Sequence, residues 1–159
     1  MSSDLTQLEQ WVAPLLEKLN SSQRRRLMIA LAREMRAAQA RNMAAQTGPD
    51  GERWQPRKTA AREASAGSIK ARAKRGRVRG AMFVGLRKSR WLKAQAIGDD
   101  AVVQFVGRAA RIAAAHHYGG PDEVQPGGPD YNYPARPLLG FNDELTARLR
   151  TLVLDHLTQ

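Results

Sequence analysis

The stretch WLKAQAIGDDAVVQFVG, residues 91 to 107, decides the fold class. Trp91, Lys93, Gln95 and Ile97 alternate with Leu92, Ala94 and Ala96. Beyond Gly98-Asp99-Asp100, Val103 and Phe105 alternate with Val102, Gln104 and Val106. A period of two on both sides of a glycine-aspartate turn is the pattern of an antiparallel β-hairpin. The long segments on either side have helical spacing, so this hairpin makes an α+β chain of an otherwise helical one.

Working back towards the N-terminus, Leu5, Leu8, Val12, Leu15, Leu16 and Leu19 recur at helical spacing, and residues 4 to 19 read as one amphipathic helix despite Pro14. Ser21 or Ser22 is placed to cap a second helix reaching about Gln46, with Leu27, Leu31, Met35 and Ala38 on its inner stripe. Arg24, Arg25, Arg33 and Arg36 are expected to stay in water. The short LNSS link makes the two helices a hairpin, and TGPDGERW ends the second one through Pro49 and the Asp50-Gly51 turn. Trp54 is expected to pack just beyond it. AMFVGLRKSR reads as a short helix with Met82, Phe83 and Leu86 inward. After the β-hairpin, ARIAAAHHY reads as a helix ended by Gly119-Gly120, residues 119 to 133 as a loop, and Asn142 as the cap of a last helix carrying Leu145, Leu149, Leu152 and Val153. The fold expected is thus an N-terminal helical hairpin, a small antiparallel sheet and a C-terminal helix, with a long basic flexible loop. At 159 residues the chain is expected to be a single domain, 1–159, with about 59–80 basic and mobile.

The charge of +11 is concentrated. Residues 53 to 93 hold fourteen Lys/Arg against one Asp/Glu, while residues 1 to 52 hold seven against six and residues 94 to 159 hold five against eight. The centre of the block, Lys70, Arg72, Lys74, Arg75, Arg77 and Arg79, has too few apolar residues to offset its own ordering entropy, so it is expected to be disordered until a phosphate backbone or an acidic surface meets it.

The sequence excludes several chemistries. With no cysteine there is no disulfide, zinc-finger or thiol chemistry. MSSDLTQLEQW has neither a basic head nor an apolar run, so no secretory leader is expected, and no stretch is apolar enough for a membrane. Adjacent His116 and His117 lie about 100° apart on a helix and cannot share a metal; a structural imidazole beside the core is expected. No phosphate loop or nucleophile elbow occurs, and neither cofactor nor metal is expected.

Four strings, GPDGERWQPRK (48–58), MFVGLRK (82–88), ARIAAAHHYG (110–119) and YPARPLLGF (133–141), in this order, resemble the phage virion morphogenesis family, the tail completion proteins of Mu-like and related contractile-tailed phages. The resemblance runs from about residue 24 onward. It places the family's A-x-x-H-x-Y-G string on His116, Tyr118 and Gly119, and its P-A-R-x-L-L-G string on Pro134, Ala135, Arg136, Leu138, Leu139 and Gly140. Trp54, Pro56 and Tyr133 belong to the same strings. It implies a non-enzymatic virion protein at the head-proximal end of the tail, ending tube or sheath growth and readying it for the head. Tail tube or sheath proteins and head–tail connector proteins are its implied partners, and the host cytoplasm its place during assembly. A sixfold tail end also makes a hexameric ring the expected homo-oligomer. Charge alone adds a non-specific contact with DNA. The rival readings are a basic nucleic-acid-binding protein without catalysis, short of aromatic stacking platforms, and a nuclease, for which Glu63 is the block's sole carboxylate.

Overall fold

The computed structural model describes residues 2–56, 80–123 and 127–158, with side chains from Thr6 onward. Lys70, Arg72, Lys74, Arg75, Arg77 and Arg79, and with them the reading of a disordered arm, lie outside the described residues. The element order is α1 (Ser2–Leu16), α2 (Ser21–Ala45), β1 (Leu92–Ile97), β2 (Asp100–Phe105), α3 (Arg108–Tyr118), β3 (Gly120–Glu123), β4 (Asp130–Tyr133) and α4 (Asp143–Leu157). Among the described residues no helix is long and apolar enough to cross a membrane.

The N-terminal helical hairpin forms with its link shifted. Helix α1 stops at Leu16 in tight turns from Lys18 and Leu19 back to Leu15 and Leu16. Asn20, and not a serine, caps α2: its Oδ1 accepts from Gln23 N at 2.9 Å, and Gln23 Oε1 accepts from Asn20 N at 3.0 Å. That reciprocal capping box satisfies two donors that a helix start leaves open. At the far end Gln46 turns left-handed at φ 61, and its side-chain amide pairs with the backbone of Met82 in both directions, at 2.6 and 2.9 Å.

Strands β1 and β2 pair with Leu92 opposite Phe105, Ala94 opposite Val103 and Ala96 opposite Ala101. The small side chains of Ala94, Ala96 and Ala101 let α2 lie close on the sheet. The turn is tighter than expected, Gly98-Asp99 alone, because Asp100 already pairs with Ile97; Gly98 supplies the positive φ of 59. One arginine expected in water is not there. Arg36 donates from Nε to Leu92 O at 2.8 Å and from Nη2 to Arg87 O at 3.2 Å, fastening the entry of β1 to α2.

Two further expectations need correction. Residues 82 to 88 form consecutive turns and not a helix, since Phe83 stands at φ 63, where a right-handed helix cannot pass; Met82, Phe83 and Leu86 are nevertheless buried. The 119–133 region is not all loop. Gly120–Glu123 pairs antiparallel with Asp130–Tyr133, a ladder of polar residues whose sequence has no apolar alternation to announce it.

The core divides in two. Leu8 and Val12 of α1, the Leu27–Ala38 stretch of α2, and Leu145, Leu149 and Val153 of α4 form an aliphatic cluster. Met43, Trp54, Met82, Phe83, Leu86, Leu92, Ala109, Ala113 and Leu138 form the other. Helix α2 runs through both, and the β-hairpin closes both from one side. Asn142 caps α4 as its spacing predicts, accepting from Leu145 N at 2.8 Å.

Candidate functional site

The second cluster gathers the four strings picked out in the sequence. Trp54 meets Phe83 at 5.2 Å between ring centroids, Phe83 meets His116 at 4.9 Å, His116 meets Tyr133 at 4.9 Å and Tyr133 meets Tyr131 at 4.8 Å, every pair edge to face. Edge-to-face contacts set the positive rim of one ring against the negative face of the next and are worth about 1 kcal/mol each beyond burial. One residue from each string stands in this file, so segments far apart in sequence are held by one stack.

Around the stack, backbone groups are bonded across strings. Arg136 N donates to His116 O at 2.7 Å, and Leu138 N donates to His117 Nδ1 at 3.1 Å. The extended YPARPLLGF segment is therefore tied to the C-terminal turn of α3 twice within three residues. Gly119 makes the approach close. At φ 71 it sits so near the segment that a Cβ there would fall 2.7 Å from Ala135 N and 2.8 Å from Tyr133 O. At the other end Gly140 lies under Pro49, where a Cβ would come within 2.6 Å of the ring; its carbonyl accepts from buried Gln39 Nε2 at 2.7 Å. Asn142 Nδ2 donates to Pro49 O at 2.7 Å.

Arg136 is 4 % exposed, and its guanidinium bridges two carbonyls, Nε to Gln55 O at 2.9 Å and Nη2 to Pro56 O at 3.4 Å. Extended backbone between two prolines aims it there, and the planar fork matches two adjacent carbonyls. A cavity of about 200 Å³ adjoins it between Gln55, Tyr131, Tyr133 and Pro134.

The seam thus joins Trp54, Pro56, His116, Gly119, Tyr133, Arg136, Leu138 and Gly140. Pro134 and Leu139 are half-buried along it, while the side chain of Ala135 is exposed and only its backbone is used. Tyr118 departs from the group: it is 78 % exposed and touches the seam only through His117, at 4.7 Å. Sequence reasoning missed Gln39 and Gln46, whose roles depend on distant carbonyls. Phe83 is marked in the sequence by the MFVGLRK string and as a core residue, but not as a site residue, although it stands between Trp54 and His116 in the stack.

The chemistry available here is that of binding and packing. Burial lowers the pKa of the His117 imidazole, keeping Nδ1 free to accept. A hydrogen bond from Arg111, at 2.8 Å, lowers that of the Asp122 carboxyl and ties α3 to β3. Among the described residues no group of three or more His, Asp or Glu could hold a metal ion. At the C-terminal end of the basic block the guanidinium of Arg90 lies 5.4 Å from the Trp91 ring, and that of Arg108, from α3, lies 5.1 Å from it.

Comparison with known proteins bears on the same strings. The sequence model of the phage virion morphogenesis family matches residues 3–158, nearly the whole chain and all four strings. The chain belongs to the phage virion morphogenesis family. A family relative, Tail completion protein S of Escherichia phage P2, is 35% identical over 156 residues, which is 98% of this chain and 98% of the relative. No solved structure matches the chain. The resemblance read from residue 24 onward therefore extends through α1 as well.

Proposed function

We propose that this protein completes the phage tail: a structural part, without catalysis, that ends tube or sheath growth at the head-proximal end and readies the tail for head joining. The observation that carries this reading is the near full-length similarity to Tail completion protein S. The geometry agrees with it, since the four strings converge on a packed and hydrogen-bonded seam and not on an open cleft of titratable groups. The protein sits in the virion tail and is added in the host cytoplasm. Its contacts are tail tube or sheath proteins on one side and head–tail connector proteins on the other, with copies of itself in a hexameric ring between them. The seam residues give that ring a rigid frame, Arg136 foremost.

A second reading has its own observation, the fourteen-to-one charge of residues 53 to 93. We infer a charge-driven, sequence-independent contact with DNA through Lys70, Arg72, Lys74, Arg75, Arg77 and Arg79, whose affinity falls steeply with salt. The tail reading is tested by electron microscopy of tails from a deletion strain complemented with tagged protein. It expects label at the head-proximal end and headless tails without the protein; finished tails that lack it would refute the reading.

A further inference from the structure

An open apolar groove of about 620 Å³ lies over the aliphatic cluster, walled by Leu8 and Val12 of α1, Met28 and Met35 of α2 and Val153 of α4. Its rim carries the carboxylates of Glu9, Asp99 and Asp100, with Arg24 lying 3.6 Å from Asp99. Gln39 also lines it. This residue is 3 % exposed, and its Oε1 has no hydrogen-bond partner, although its Nε2 is used. A buried acceptor left open costs free energy until something donates to it.

Helix α3, which packs in the other cluster, presents the opposite pattern. At 100° per residue, Arg108, Arg111, Ile112 and Tyr118 fall within one face about 120° wide. Ile112 is 46% and Tyr118 78% exposed beside the two arginines. The stripe offers apolar anchors, flanking positive charge and a phenolic donor. The groove offers apolar walls, flanking negative charge and an open acceptor.

We propose that the α3 stripe of one copy docks in the groove of the next. Tyr118 and Ile112 enter between α1 and α4, Arg111 exchanges Asp122 and Arg108 the Trp91 ring for the acidic rim, and the Tyr118 hydroxyl reaches Gln39 as that side chain turns its buried Oε1 into the groove. Charge complementarity selects a second copy as the occupant, because groove and stripe match each other and sit on different halves of one chain. Such a contact is heterologous, so it propagates around a ring or along a fibre and cannot end as a symmetric dimer. The inference deepens the ring reading above by naming its two faces.

The chain has no cysteine, so introduced ones report the contact directly. Ala13 lines the groove and is exposed, as is Ile112, so neither substitution disturbs the core. In concentrated purified protein under mild oxidation, Ala13→Cys mixed with Ile112→Cys is expected to give one disulfide-linked dimer. The double variant should give a ladder, and each single variant alone almost nothing. Adding Tyr118→Asp to the Ile112→Cys copy should cut the mixed product at least tenfold. No mixed product, or equal product from one single variant alone, overturns the inference. Rings seen in tails without the cross-link would keep the ring reading and discard these faces; the cross-link with no protein in tails would do the reverse.

Discussion

The two halves of the core are built on different principles. The aliphatic cluster of α1, α2 and α4 is held by leucine, methionine, valine and alanine contacts that ask only for apolar volume at helical spacing. The seam cluster is held by an edge-to-face file, two close-approach glycines, a buried guanidinium that reaches a carbonyl 81 residues away and a backbone bond between strings, Arg136 N to His116 O. Packing of the first kind accepts substitutes, whereas each part of the second has a fixed partner at a fixed distance. The family strings fall on the second kind. A chain needs a core to fold; we propose that the shape that other tail parts meet is set where the backbone is pinned.

The largest expected effect comes from placing the same change in and out of the seam. Gly119→Ala adds a methyl group at positive φ against the backbone of Tyr133 and Ala135, and should cost about 4 kcal/mol in urea unfolding. Gly98→Ala, also at positive φ but with nothing within 4 Å of its Cβ, should cost about 1 kcal/mol. Equal losses would mean that Gly119 acts through its backbone angle alone. In the aliphatic half, Leu149→Ala opens a cavity at a residue 3 % exposed and should cost about 3 kcal/mol, while Leu149→Met should recover most of it.

Arg136→Lys comes next, at about 2 kcal/mol, since an ammonium reaches one of the Gln55 and Pro56 carbonyls but not both. The smallest effect is on pH dependence. Because burial holds the folded-state pKa of His117 below the ordinary 6.5, its contribution is complete above that value and is lost as pH falls from it towards the folded-state value. The thermal midpoint should thus drop as pH falls below 6.5 in the natural protein, and drop less in His117→Gln. An unchanged slope in that variant would take His117 out of the seam's acid response.

What could be read in advance follows the same division. The aliphatic half was legible because Leu27, Leu31, Met35 and Leu149 repeat with the period of a helix, and the β-hairpin because Leu92 to Phe105 repeat with the period of a strand. Asn20 was passed over as the α2 cap because serines follow it, although only the residue outside the helix can accept from Gln23 N. The seam gave its members but not its geometry. The strings marked Trp54, His116, Arg136 and Gly140, yet no local pattern says that Gln39 finds the Gly140 carbonyl or that Phe83 stands between Trp54 and His116. Strands β3 and β4 stayed hidden because their ladder is carried by backbone groups under polar side chains.

The most direct test sets one residue from each half against the other in the virion. A deletion strain is complemented with Leu149→Ala or Arg136→Lys at a temperature where both purified variants are fully folded, and complete tailed particles are counted in micrographs. Leu149→Ala, the more destabilised variant, should give near-normal yields, while Arg136→Lys should leave headless tails and tailless heads. Yields that follow stability, with Arg136→Lys the better of the two, would contradict the assignment of tail completion to the seam.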